Sequence, residues 1–135
     1  MHQPILEFEN IEQARVCLEE WKTRLFLDDW IIQLKLEEVN ENLCANVSAT
    51  QTLKTAIITV YKKGDNYDNE SPMKYCAEKL VVHELCHIAL QMPSADVSSV
   101  EQWIYDSTMH QRVEQMAKSL IMAKYGMGFD WFKNF

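Results

Sequence analysis

Residues 79–90 read Lys-Leu-Val-Val-His-Glu-Leu-Cys-His-Ile-Ala-Leu, and the fold is worked outward from them. Leu80, Val81, Val82, Leu85, Ile88, Ala89 and Leu90 make the segment apolar almost all round. A helix of that pattern is buried. Within it, His83-Glu84-Leu85-Cys86-His87 is an H-E-x-x-H motif. Histidines at i and i+4 leave one face of a helix a turn apart and can meet a single zinc ion. Glu84 stands about 100° round the helix from His83, placed to act as general base on a metal-activated water without being a ligand. A chance occurrence would leave two imidazoles and a carboxylate buried at a cost that a metal removes. We therefore expect one Zn2+ per chain, held by His83 and His87, with Glu84 catalytic.

Ser71-Pro72 is a strong helix-start signal, so this helix is expected from Ser71 to about Gln91, with Pro93 stopping it. A final long helix is expected from about Val97 to Tyr125, capped by Asp96 or Ser98 and ended by Gly126 and Gly128. It must supply the third ligand that a catalytic zinc requires. Its candidates are Glu101, Asp106, His110 and Glu114. His110 and Glu114 are i and i+4, and the apolar stripe Val113, Met116, Ala117, Leu120 turns that part of the helix toward the core. Glu114 is preferred, since an inward carboxylate needs a cation, with His110 and then Glu101 as alternatives. Tyr105 and Cys86 are read as packing residues. The tail, residues 129–135, carries four aromatics expected to dock as a plug.

Toward the N-terminus, residues 9–25 repeat Ile11, Ala14, Val16, Cys17, Leu18, Trp21 and Leu25 at helical spacing, with Asn10 as cap. The period then changes to two. Trp30, Ile32, Leu34 and Leu36 alternate with polar residues, as do Leu43, Ala45, Val47 and Ala49; residues 55–62 are rich in β-branched types. Short connections favour an antiparallel meander for the first two strands. The expectation is an α+β domain: N-terminal helix, a small three-stranded, mainly antiparallel sheet, the H-E-x-x-H helix and a long C-terminal helix.

The stretches LDDWIIQLKLE, KLVVHELCHIAL and VEQMAKSLI together make the chain resemble a compact zincin-type metallopeptidase with a glutamate third ligand, gluzincin-like, such as occurs in phage and prophage genomes. The chain differs in having Gln111 where an acid often sits. The resemblance covers most of residues 1–135, read as one zincin-like domain. It implies that His83, His87 and Glu114 bind zinc, that Glu84 is the base, and that residues 55–62 form an edge strand pairing with extended substrate. The corresponding function is metal-dependent hydrolysis of a peptide or protein substrate. The alternatives are a non-catalytic zinc-stabilised protein-binding module and a regulator activated by a partner.

Composition narrows the classes. Thirteen Lys plus Arg against 20 Asp plus Glu give a net charge of −7, which disfavours nucleic acid and anionic membranes as partners. No apolar run approaches a membrane span, and the first residues lack the basic and apolar regions of a signal peptide. A cytoplasmic location is expected, in the host cytoplasm for a phage-encoded chain. Cys17, Cys44, Cys76 and Cys86 form no C-x-x-C pair and are read as buried or half-buried thiols.

Overall fold

A computed structural model describes residues 3–67, 73–90 and 99–135, with side chains of the last stretch from residue 106 onward. Helix α1 spans Ile11–Arg24. Asn10 caps it as expected: its side chain accepts from the Gln13 N–H at 2.8 Å, while Gln13 Oε1 accepts from the Glu9 N–H at 2.7 Å. Reciprocal bonds of this kind satisfy orphan donors at a helix start. Ala14, Cys17, Leu18 and Trp21 turn inward, whereas Val16 faces solvent.

Strands β1 (Ile31–Glu37), β2 (Ala45–Thr50) and β3 (Thr55–Tyr61) form one sheet in the order β1-β3-β2. β1 pairs with β3 in parallel, Leu34 opposite Ile58, and β2 pairs with β3 antiparallel, Val47 opposite Ile58. The sheet is thus mixed, and the expected β1–β2 meander does not form. The reason lies in β3, whose Ala56, Ile58 and Val60 are all buried. The strand with most apolar area to bury takes the centre, where both neighbours and the overlying helices cover it. The assignment of residues 55–62 as a substrate-pairing edge is corrected by the same fact: β3 is the middle strand, and β1 and β2 are the edges.

Helix α2 spans Ala77–Ala89, α3 spans Ser99–Tyr125 and α4 spans Phe129–Asn134. The Ser71-Pro72 start lies outside the described residues, but residues 73–76 are not helical, and α2 begins only after Cys76, in extended conformation. Its first N–H groups are met from far along the chain: Ala77 N–H donates to the Leu6 carbonyl at 2.8 Å and Glu78 N–H to the Ile5 carbonyl at 3.0 Å. A cap supplied by distant backbone replaces the expected side-chain cap. The Pro93 stop and the Asp96 or Ser98 cap fall outside the described residues. α3 buries Val113, Ala117 and Ile121 at four-residue steps, leaving Met116 at the surface. In the tail, Trp131 is buried and stacks on Phe135, whereas Phe129 is exposed. All four cysteines are free thiols; Cys17, Cys76 and Cys86 are buried and Cys44 half-buried. No helix among the described residues is long and apolar enough to cross a membrane.

One buried carboxylate ties these parts together. Glu78, with no exposed surface, accepts from Trp21 Nε1 (2.8 Å), the Ile5 N–H (2.9 Å), Lys124 Nζ (3.0 Å) and the Tyr125 hydroxyl (2.6 Å). It thereby joins the N-terminal segment, α1, α2 and the end of α3. Burial alone would raise its pKa; the hydrogen bonds from Tyr125, Ile5, Trp21 and Lys124 outweigh burial and hold it below its ordinary 4.5. A carboxyl depressed in the folded state stabilises the protein above its unfolded pKa, and that contribution is lost as pH falls through the folded value. Urea midpoints are therefore expected to decline below about pH 4.5, with a shallower decline in Glu78→Gln. Parallel curves for the two proteins would exclude Glu78 as a source of acid sensitivity.

Candidate metal centre

The site is built on two facing helical stripes. On α2, Lys79, His83 and His87 follow one another at four-residue steps; on α3, His110, Glu114 and Lys118 do the same. Residues at that spacing share a face. The helices bring the stripes together in opposite order. His110 stands against both His87 (ring centroids 4.8 Å apart) and His83 (5.9 Å), and Glu114 stands against His83 and Lys79. The buried spine Val113, Ala117, Ile121 on α3 and Val81, Val82, Leu85 on α2 belongs to the common core that holds these helices.

Ring nitrogens of His83, His87 and His110 all lie within 4.8 Å of one another. Three converging imidazoles are a donor set suited to zinc, which needs roughly 2.0–2.1 Å to each nitrogen. His83 and His87 are half-buried and His110 is exposed, so the cluster lies toward the protein surface. Burial, with the neighbouring His83 and His110, pushes His87 down to about 4. Its imidazole is neutral at pH 7, as a metal ligand must be.

Glu114, preferred from sequence as a ligand, touches His83 rather than standing among the three nitrogens. Its Oε1 is 3.4 Å from His83 Nδ1 and its Oε2 accepts from Lys79 Nζ at 3.3 Å. Burial would raise its pKa, but the His83 hydrogen bond and the Lys79 ammonium bring it to about 2. With Nδ1 engaged by a carboxylate, Nε2 is the His83 nitrogen left for a metal. Glu84 is 6% exposed. Burial pushes its pKa up to about 7; the His83 charge opposes this and Glu114 adds to it. A carboxyl in that range suits proton transfer near neutrality. Cys86 is fully buried, and burial pushes its thiol up to about 12, consistent with packing.

Of the other sequence candidates, Asp106 is exposed, one turn before His110, and the Glu101 and Tyr105 side chains lie outside the described residues. The two lysines were missed. Lys79 stands four residues before His83 and Lys118 four after Glu114, a spacing that could have flagged both. A search against protein-family models, curated proteins and solved structures yields no match for the chain.

Proposed function

We propose that the chain is a zincin-like, zinc-dependent hydrolase of peptide bonds, in which His83, His87 and His110 hold the metal, Glu84 is the general base and Glu114 orients His83. The observation that carries this reading is the convergence of three imidazoles from two helices beside a buried glutamate of the H-E-x-x-H motif. A zinc ion held there supplies Lewis acidity toward a carbonyl and lowers the pKa of water. Glu84 accepts the proton of the attacking water and returns it to the leaving amine nitrogen. The Glu114 carboxylate, itself held by Lys79, fixes the His83 ring and tautomer. β2, an edge strand in contact with α2, is the strand that an extended peptide would pair with in this reading. Glu84 favours an enzyme over a zinc-stabilised binding module, because a structural site closes its fourth position and has no use for a base.

Elemental analysis of dialysed protein is expected to give one zinc per chain, and a peptide-library screen to reveal turnover that a chelator abolishes. Zinc without turnover would favour the binding module; no zinc, and no rise in melting temperature on adding it, would remove both readings.

The ligand assignment has its own test. In chelator competition, Glu114→Ala is expected to weaken zinc binding roughly 10–100-fold, the usual effect of losing an orienting partner. His110→Ala, which removes a donor, is expected to weaken it further. The reverse ranking would restore Glu114 as the third ligand.

A further inference from the structure

A pocket of about 530 Å³ opens beside the histidines. His83, His110, Gln111, Glu114, Gln115, Lys118 and Phe132 line it, and the Glu114 carboxylate there is engaged by His83 and Lys79. The Lys118 side chain is almost wholly buried, with 8% of the residue exposed. Its ammonium has three protons to place. One goes to the Phe132 carbonyl at 3.1 Å, the Met73 thioether stands at 3.7 Å, and the Phe132 ring centroid is 5.1 Å away. A carbonyl, a weak sulfur acceptor and a π face solvate the cation without neutralising it. Among the described residues no carboxylate lies within ion-pair distance of Lys118, and the nearby Glu114 is already shared by Lys79 and His83. Two buried ammoniums thus have one carboxylate in their neighbourhood, and it is bonded to Lys79 rather than Lys118, in a chain whose net charge is −7. Surplus acids elsewhere could have paired this lysine, yet it lines the pocket instead.

We propose that Lys118 is the specificity-determining residue of a carboxylate-binding subsite, taking an Asp or Glu side chain or a chain-terminal carboxylate of the peptide whose scissile bond lies at the histidines. This rests on the peptidase reading above. An incoming carboxylate supplies the direct ion pair that Lys118 does not make among the described residues, the Gln111 and Gln115 amides offer donors along the way, and Phe132 forms an apolar wall. From His110 to Lys118 is eight residues of helix, roughly 12 Å. An extended peptide covers that in three or four residues, so the recognised carboxylate falls within about that distance of the cleaved bond.

The test measures binding separately from turnover. Zinc-loaded Glu84→Gln protein is titrated by calorimetry with acetylated, amidated heptapeptides carrying one Glu at successive positions, and with the same peptides carrying Gln. A second pair compares a free C-terminal carboxylate with its amide, which separates the two sources of the anion. At least one carboxylate peptide is expected to bind about tenfold or more tightly than its neutral partner. In the Lys118→Met background that preference should vanish, and in Lys118→Arg it should persist, with zinc content unchanged in both. Equal binding of all pairs, no binding of any peptide, or a preference that survives Lys118→Met overturns the proposal. Should Lys118→Met fold poorly, the Lys118 ε-methylene resonance of the Glu84→Gln protein decides: it must shift with the Glu peptide and stay in place with the Gln peptide. Carboxylate preference with no cleavage by the wild-type protein would leave this subsite standing and refute the peptidase reading.

Discussion

Glu84→Gln is expected to lower peptide hydrolysis by roughly 10²–10⁴-fold, the range set by losing a positioned proton acceptor, while zinc content stays at the wild-type level. Glutamine keeps the side-chain shape and cannot accept the proton. The fold should not suffer. Glu84 is buried, and burial already disfavours its charged form enough to push the pKa up to about 7, so the neutral isostere removes a desolvation cost. Melting temperature is expected to hold or rise slightly. Single-turnover rates on a peptide cleaved by the wild-type protein, with zinc measured on the same samples, make the comparison. Equal rates in the two proteins would remove Glu84 as the base. A loss of rate that merely tracks a loss of zinc would show Glu84 acting through the metal site's integrity.

The second large effect is on stability. Glu78→Ala is expected to cost about 3–5 kcal/mol, because it removes the buried one of Lys124's two carboxylate partners, leaving Glu20, and takes the acceptors from Trp21, Tyr125 and the Ile5 N–H at one stroke. Against a total of roughly 5–15 kcal/mol for a domain, that is a large fraction. Glu78→Gln keeps one oxygen and the side-chain shape, so its cost should be smaller, about 1–3 kcal/mol. Urea unfolding followed by tryptophan fluorescence measures both, Trp21 being itself a partner of the carboxylate. A cost below 1 kcal/mol for Glu78→Ala would mean that water or a rearranged neighbour replaces its hydrogen bonds, and that the hub does not join the segments it touches.

These two glutamates, six residues apart on one helix, show what is readable from a sequence. Glu84 is legible because H-E-x-x-H is a local pattern: helical spacing alone sets His83 and His87 on one face and Glu84 beside them. Glu78 has no local signature, since its partners lie 46 to 73 residues away along the chain. The same division runs through the sheet. Alternation at Ile32, Leu34 and Leu36 identifies a strand and its buried face. Which strand pairs with which depends on how much apolar surface each one must cover. Ile58 and Val60 draw β3 into the middle, between the two strands that the short connection would pair directly.

The sequence by itself determined the α+β class, α1 with its Asn10 cap, the H-E-x-x-H face of α2 and the inward turn of α3 at Val113 and Ala117, because each follows from residue periodicity within one element. Only the tertiary structure decided the rest. The opposed packing of α2 and α3 chooses which residue of the His110–Glu114 pair joins His83 and His87, and side-chain spacing within one helix carries no information about its register against another. That register sets His110 near both motif histidines, Glu114 on His83 Nδ1, and the buried Lys79 against that carboxylate.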